Sequence, residues 1–98
     1  MADTIVAIST ANGTGAISIV RMSGDKALHI AQQLTKTSFT PRMAKLVKLY
    51  DLDDNLIDIP LVLYFKAPNS FTGEDIVEFH CHGGVAVSKI VLETLIKA

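Results

Sequence analysis

The stretch Asn69–Gly84, "NSFTGEDIVEFHCHGG", brings two histidines, one cysteine and three acids beside a Gly-Gly pair. Read as a strand, its second half points Glu78, His80 and His82 to one face, and Val77, Phe79 and Cys81 to the other. Two imidazoles and a carboxylate on one face are zinc-ligand types. A stable zinc site wants three or four ligands, though, and the recognised spacings are absent, so no metal is expected. Cys81 lies between histidines in sequence, but strand neighbours face opposite ways and cannot readily meet as nucleophile and base. It is expected in the core. The glycine turn "NGTGAIS" (Asn12–Ser18) has Ser18 where a dinucleotide fingerprint needs its third glycine, and a strand follows instead of a helix. The Gly-Lys-Ser/Thr ending of a P-loop occurs nowhere, so this stretch is not expected to bind GTP or ATP by that route.

Arg21 and Glu78 pose a different problem. Each is a charge inside an otherwise apolar strand, "AISIVRMS" and "DIVEFHC" respectively. Burying either one unpaired is expensive. Two readings stand. The charges form a salt bridge with each other, or they line a concave pocket and meet a ligand carrying both donors and acceptors. A fixed carboxylate can accept two hydrogen bonds from an amidine-like N–C–N edge such as a pterin presents, while a guanidinium grips carbonyl or acidic oxygens. The residues alone do not choose between them.

The elements that must position these groups follow from pattern. "TIVAIST" (Thr4–Thr10) and Ala16–Ser23 are β-branched and apolar, and read as strands. In the second, Ile17, Ile19 and Arg21 share one face, and Ser18, Val20 and Met22 share the other. "SGDKALHIAQQLTK" predicts a helix with Ser23 as its cap, Asp25 at its positive end and a stripe of Ala27, Leu28, Ala31 and Leu34. Ala44–Leu52 predicts a strand; in the segment Leu56–Pro68, Pro60 places the beginning at a sheet edge or bulge, while "LVLYF" (Leu61–Phe65) reads as a buried strand. A loop "PNSFTGE" then leads into a strand over Asp75–Cys81. "VAVSKIVLETLIKA" predicts a closing helix with Val87, Ile90, Val91 and Leu95 facing inward. The order β-β-α-β-β-β-α is an α+β domain, a mixed strand-rich sheet with two or three helices. That last helix reaches Ala98 without a glycine or asparagine cap, the pattern of a piece from something longer.

The totals bound the reading. The chain has 98 residues, 49% of them hydrophobic, enough for one domain with a real core. Nine basic and ten acidic residues give a formal charge of -1, without the basic surplus by which nucleic-acid-binding domains neutralise phosphates. No apolar run approaches the roughly 18 residues of a membrane span, and the start lacks a secretory signal. With a single cysteine, a cytoplasmic, reducing setting is expected.

"DTIVAIST", "ISIVRMSG", "APNSFTGEDIVEFHCHGG" and the apolar helix after it together resemble the N-terminal domain of the MnmE/TrmE family of tRNA-modification GTPases. The resemblance runs from Asp3 to about Ile96, and the "PNSFTGED" block followed by "HGG" is its specific part. It implies a fold like the folate-binding domains of aminomethyltransferases. It also implies that residues 1–98 are a domain that binds 5-formyl- or 5,10-methylene-tetrahydrofolate and forms homodimers. In the parent protein, a separate domain uses GTP with magnesium and potassium. With the flavoprotein MnmG, that protein modifies carbon 5 of the tRNA wobble uridine. This piece alone would then be catalytically silent. Arg21 and Glu78 fall on folate-contact positions of the family, with Asn69, Ser70 and Thr72 as further polar contacts or loop supports. His82, within "HGG", is expected to support the loop by hydrogen bonding. The chain departs from the family pattern in "TANGTGAIS", where "TPPGxGGIG" is usual, and in "FHCHGG", where "LQGHGG" is common. The resemblance therefore gives His80 and Cys81 no role, and it places further folate contacts beyond residue 98.

Overall fold

A computed structural model of the protein describes residues 4–8, 17–67, 73–82 and 84–98. The elements run β1 (Ile5–Ile8), β2 (Ile17–Ser23), α1 (Ala27–Thr35), β3 (Lys45–Leu46), β4 (Leu49–Tyr50), β5 (Leu56–Asp58), β6 (Leu61–Phe65), β7 (Ile76–His82) and α2 (Gly84–Lys97). Five strands form one sheet in the order β1-β2-β7-β6-β3, and β4 and β5 pair separately. Every described pairing is antiparallel. The architecture is the expected α+β class.

Alternation along the strands makes the sheet two-sided. Val20, Met22, Val62, Tyr64, Val77, Phe79 and Cys81 face one side, where they join Ala27, Ile30, Ala31 and Leu34 of α1 and Val91 and Leu95 of α2 in a single core. Both helices therefore pack on one face of the sheet. Cys81 is fully buried there, as its register with Val77 and Phe79 requires. The opposite face carries Arg21, Glu78 and His80.

Several elements differ from the pattern reading. The strand expected over Ala44–Leu52 is two short ones, because Val47 turns inward and its N–H bonds the Pro60 carbonyl at 3.1 Å. The strand read at Leu61–Phe65 is β6 with those bounds, and the segment before it forms the separate short β5, the break falling at Ile59–Pro60, where the proline supplies no ladder donor and is itself buried. Ser23 is the last residue of β2 and does not cap α1. The helix follows a turn at Gly24–Lys26, and the Lys26 N–H is received by the Thr4 hydroxyl at 3.1 Å. In α2, Ile90 points outward at 50% exposure, while Ser88 and Thr94 are buried. Thr94 tolerates burial because its hydroxyl donates to the Ile90 carbonyl at 2.8 Å, one helical turn back. No helix among the described residues is long and apolar enough to cross a membrane.

Candidate functional site

β2 and β7 lie side by side with Arg21 directly opposite Glu78. Both side chains project from the face away from the helices, since Val20, Met22, Val77 and Phe79 occupy the other. Arg21 Nε donates to Glu78 Oε2 at 2.8 Å, and Arg21 Nη2 donates to the same oxygen. The second carboxylate oxygen, Oε1, lies 3.2 Å from His80 Nε2. Glu78 is 6% exposed. A carboxylate buried this far needs hydrogen-bonding partners, and it has Arg21 on one oxygen and the His80 ring nitrogen beside the other.

The surroundings are apolar. Leu63 on β6 stands across from Glu78, and His80 is flanked by Ile19 on β2 and Leu61 on β6. Ala7 on β1 stands across from Arg21. The site is thus a polar triad, Arg21–Glu78–His80, framed by aliphatic side chains on an antiparallel sheet. Chemically, it offers a carboxylate held in place beside a guanidinium. It contains no activated nucleophile. Burial pushes the Cys81 thiol up to about 12, with the Asp58 charge adding to the effect, and the side chain faces the other way.

The salt bridge envisaged from sequence is therefore present, and it occupies the same residues as the envisaged pocket. Asn69, Ser70 and Thr72 lie outside the described residues. No cluster of three or more metal-ligating side chains occurs among the described residues. His82 supports its surroundings through its backbone, whose N–H donates to Asp58 Oδ2 at 2.9 Å, while its ring is largely exposed with Nδ1 3.9 Å from Asp58 Oδ1.

Two positions escaped the sequence reading. Asp75 holds the foot of the Asn69–Glu74 stretch twice over. Its Oδ1 receives the Ala67 N–H at 2.8 Å, and its carbonyl receives the Gly24 N–H at 2.9 Å. The "VRMSG" and "TGED" stretches are thereby stitched together. Gly24 sits at φ +142°, and a Cβ there would come within 2.5 Å of the Thr4 backbone. His80 is the other. Its place two residues from Glu78 on one face was legible, but its role as partner to Oε1 follows only from the coordinates.

Over residues 4–98 the chain matches the family described as GTP-binding protein TrmE N-terminus. It is similar to the tRNA modification GTPase MnmE of Aliarcobacter butzleri, 57% identical over 97 residues, which are 98% of this chain and 22% of that protein. The MnmE of Campylobacter jejuni is 56% identical over 97 residues, with the same shares covered. That of Sulfurimonas denitrificans is 57% identical over 93 residues, 94% of this chain and 21% of the relative. The chain spans about a fifth of the length of these curated relatives.

Proposed function

The chain belongs to the TrmE N-terminal family, and from that premise we propose that it is the tetrahydrofolate-binding and homodimerisation domain of a GTPase that modifies tRNA. One observation carries the reading: Glu78, buried, is oriented by Arg21 on the sheet face opposite the helices. An acceptor pair so fixed suits the N–C–N edge of a pterin, and Arg21 beside it suits a carbonyl oxygen. The aliphatic frame of Ile19, Leu61 and Leu63 suits the flat ring system. Asn69, Ser70 and Thr72 are proposed as further polar contacts or loop supports. When bound, 5-formyl- or 5,10-methylene-tetrahydrofolate supplies a one-carbon unit. Glu78 and Arg21 bind and orient the pterin.

In the longer protein, GTP with magnesium and potassium is used by another domain. MnmG and tRNA are its partners, and the wobble uridine is its substrate. A cytoplasmic setting goes with that role.

Calorimetric titration with 5-formyltetrahydrofolate, alongside mass by light scattering, tests the proposal. Binding by a dimer is expected. Glu78→Gln should weaken binding roughly 10- to 100-fold, the worth of a charge-assisted hydrogen bond or two, while the protein remains folded. The direct Arg21–Glu78 ion pair favours a second reading, an assembly module in which the two charges serve only each other. In that case, Glu78→Gln lowers stability, and no folate binding is seen in either protein.

A further inference from the structure

The formal charge of -1 conceals a segregation. From Lys26 to Tyr50 the chain carries five of its nine basic residues (Lys26, Lys36, Arg42, Lys45 and Lys48) and none of its ten acidic ones. The fold strings the last three along one border. β3 ends the sheet, on the outer side of β6. The Arg42 N–H donates to the Tyr64 carbonyl at 2.8 Å, and Lys45 stands opposite Val62, so the stretch from Arg42 onward follows that border. Residues 40–46 and Lys48 are exposed. Lys36 is paired with Asp54 at 2.9 Å, whereas Arg42, Lys45 and Lys48 have no carboxylate partner among the described residues.

Lys45 is held but not neutralised. Its Nζ donates to Thr37 Oγ1 at 2.9 Å and to the Ser38 carbonyl at 3.1 Å, both uncharged acceptors. An ammonium has three donors, so one remains for a ligand. Beside it lies a groove of about 330 Å³ lined by Ser38, Thr40, Met43, Ala44 and Lys45, with no acid among them. Arg42 holds a left-handed φ of 65°, a conformation bulky side chains seldom adopt, and its N–H anchors it there. Six residues of extended chain reach at most about 20 Å, so the three cations can follow a short run of anionic groups.

We propose that the Arg42–Lys48 border is a contact surface for the phosphate backbone of RNA. The charge complements phosphate, and lysine, arginine and hydroxyl side chains are the groups that grip a nucleic-acid backbone. The choice of RNA over an acidic protein rests on the tRNA-modification reading above. Three cations make a weak, salt-sensitive contact, in keeping with the balanced total charge.

Fluorescence anisotropy of labelled bulk tRNA with the 98-residue chain tests the surface. Affinity should fall roughly 20- to 40-fold between about 50 and about 200 mM salt, the slope of about three phosphate contacts. Arg42→Asn with Lys45→Gln and Lys48→Gln should abolish binding at low salt, asparagine being chosen because it tolerates a left-handed φ. Lys26→Gln with Lys89→Gln and Lys97→Gln removes the same charge from other exposed positions and should keep most of the binding. Because Lys45 tethers the end of α1, Arg42→Asn with Lys48→Gln is measured too, and should roughly halve the salt slope or more. Equal loss in the control triple means a net-charge effect and overturns the surface. Binding that survives in the Arg42–Lys45–Lys48 triple also overturns it, and leaves the tRNA-modification reading standing. Wild-type binding to polyglutamate but not to tRNA overturns the choice of RNA and gives the border to an acidic protein. No binding to either probe at low salt overturns the surface outright.

Discussion

Glu78 and Cys81 sit three residues apart on one strand, yet β7 gives them opposite chemistry. The carboxylate is buried with Arg21 on one oxygen and the His80 ring beside the other, and the thiol is kept neutral by its burial on the helix side. With the thiol pushed up to about 12, almost no thiolate exists near neutral pH, and thiolate is the reactive form. The folded protein should therefore resist an aromatic disulfide reagent at about pH 8 and react promptly once urea unfolds it. Rapid labelling of the native state would show that the β7 core opens. At this scale the sequence was informative where a residue broke its context. Arg21 and Glu78 stood out as charges in apolar strands, and the period-2 pattern sent Cys81 inward. His80 stood out only as a metal-ligand type, because its contact with Glu78 Oε1 is a matter of geometry that no spacing encodes.

Among the elements, the β2–α1 junction is the most constrained. Gly24 must donate to Asp75, leave room for the Thr4 backbone and hold a φ that L side chains rarely adopt. Gly24→Ala should cost about 3 kcal/mol, measured as a lower urea midpoint. A loss below the range of ordinary surface changes would mean that β1 can draw back from this junction. The strands and helices themselves were readable from periodicity, since both long strands of the site and both helices lie where the apolar pattern puts them. Their subdivisions were not. Pro60 ends one pairing and starts another because it sits buried while its carbonyl serves Val47, a tertiary arrangement that overrides the continuous β-branched run. The inward face of α2 was misjudged at Ile90 for a related reason. Thr94 and Ser88 are small enough to pack closely, and Thr94 satisfies its hydroxyl on its own helix, so the helix rolls until Ile90 faces out.

For the molecule as a whole, the buried titratable groups set a direction for its response to alkali. Burial raises Cys81 from 9.0 to about 12, and burial together with the Asp75 charge raises Tyr64 above 10.0. In both cases the folded state holds its proton more tightly than the unfolded chain. The resulting stability is complete below the unfolded value and is lost as pH climbs toward the folded one. The urea midpoint should thus fall between pH 9 and 12, and Cys81→Ala should flatten the fall. An unchanged alkaline profile in that variant would leave Tyr64 as the dominant group. The family was legible from "PNSFTGED" with "HGG", while the packing of both helices on the face opposite Arg21 and Glu78 needed the strand order β1-β2-β7-β6-β3. Asp75 carries a last consequence. Because one residue anchors the stretch before it by its side chain to Ala67 and the neighbouring strand end by its carbonyl to Gly24, the foot of that stretch is fixed independently of what lies between. Evolution, or a protein engineer, can then rewrite the intervening letters without renegotiating the scaffold.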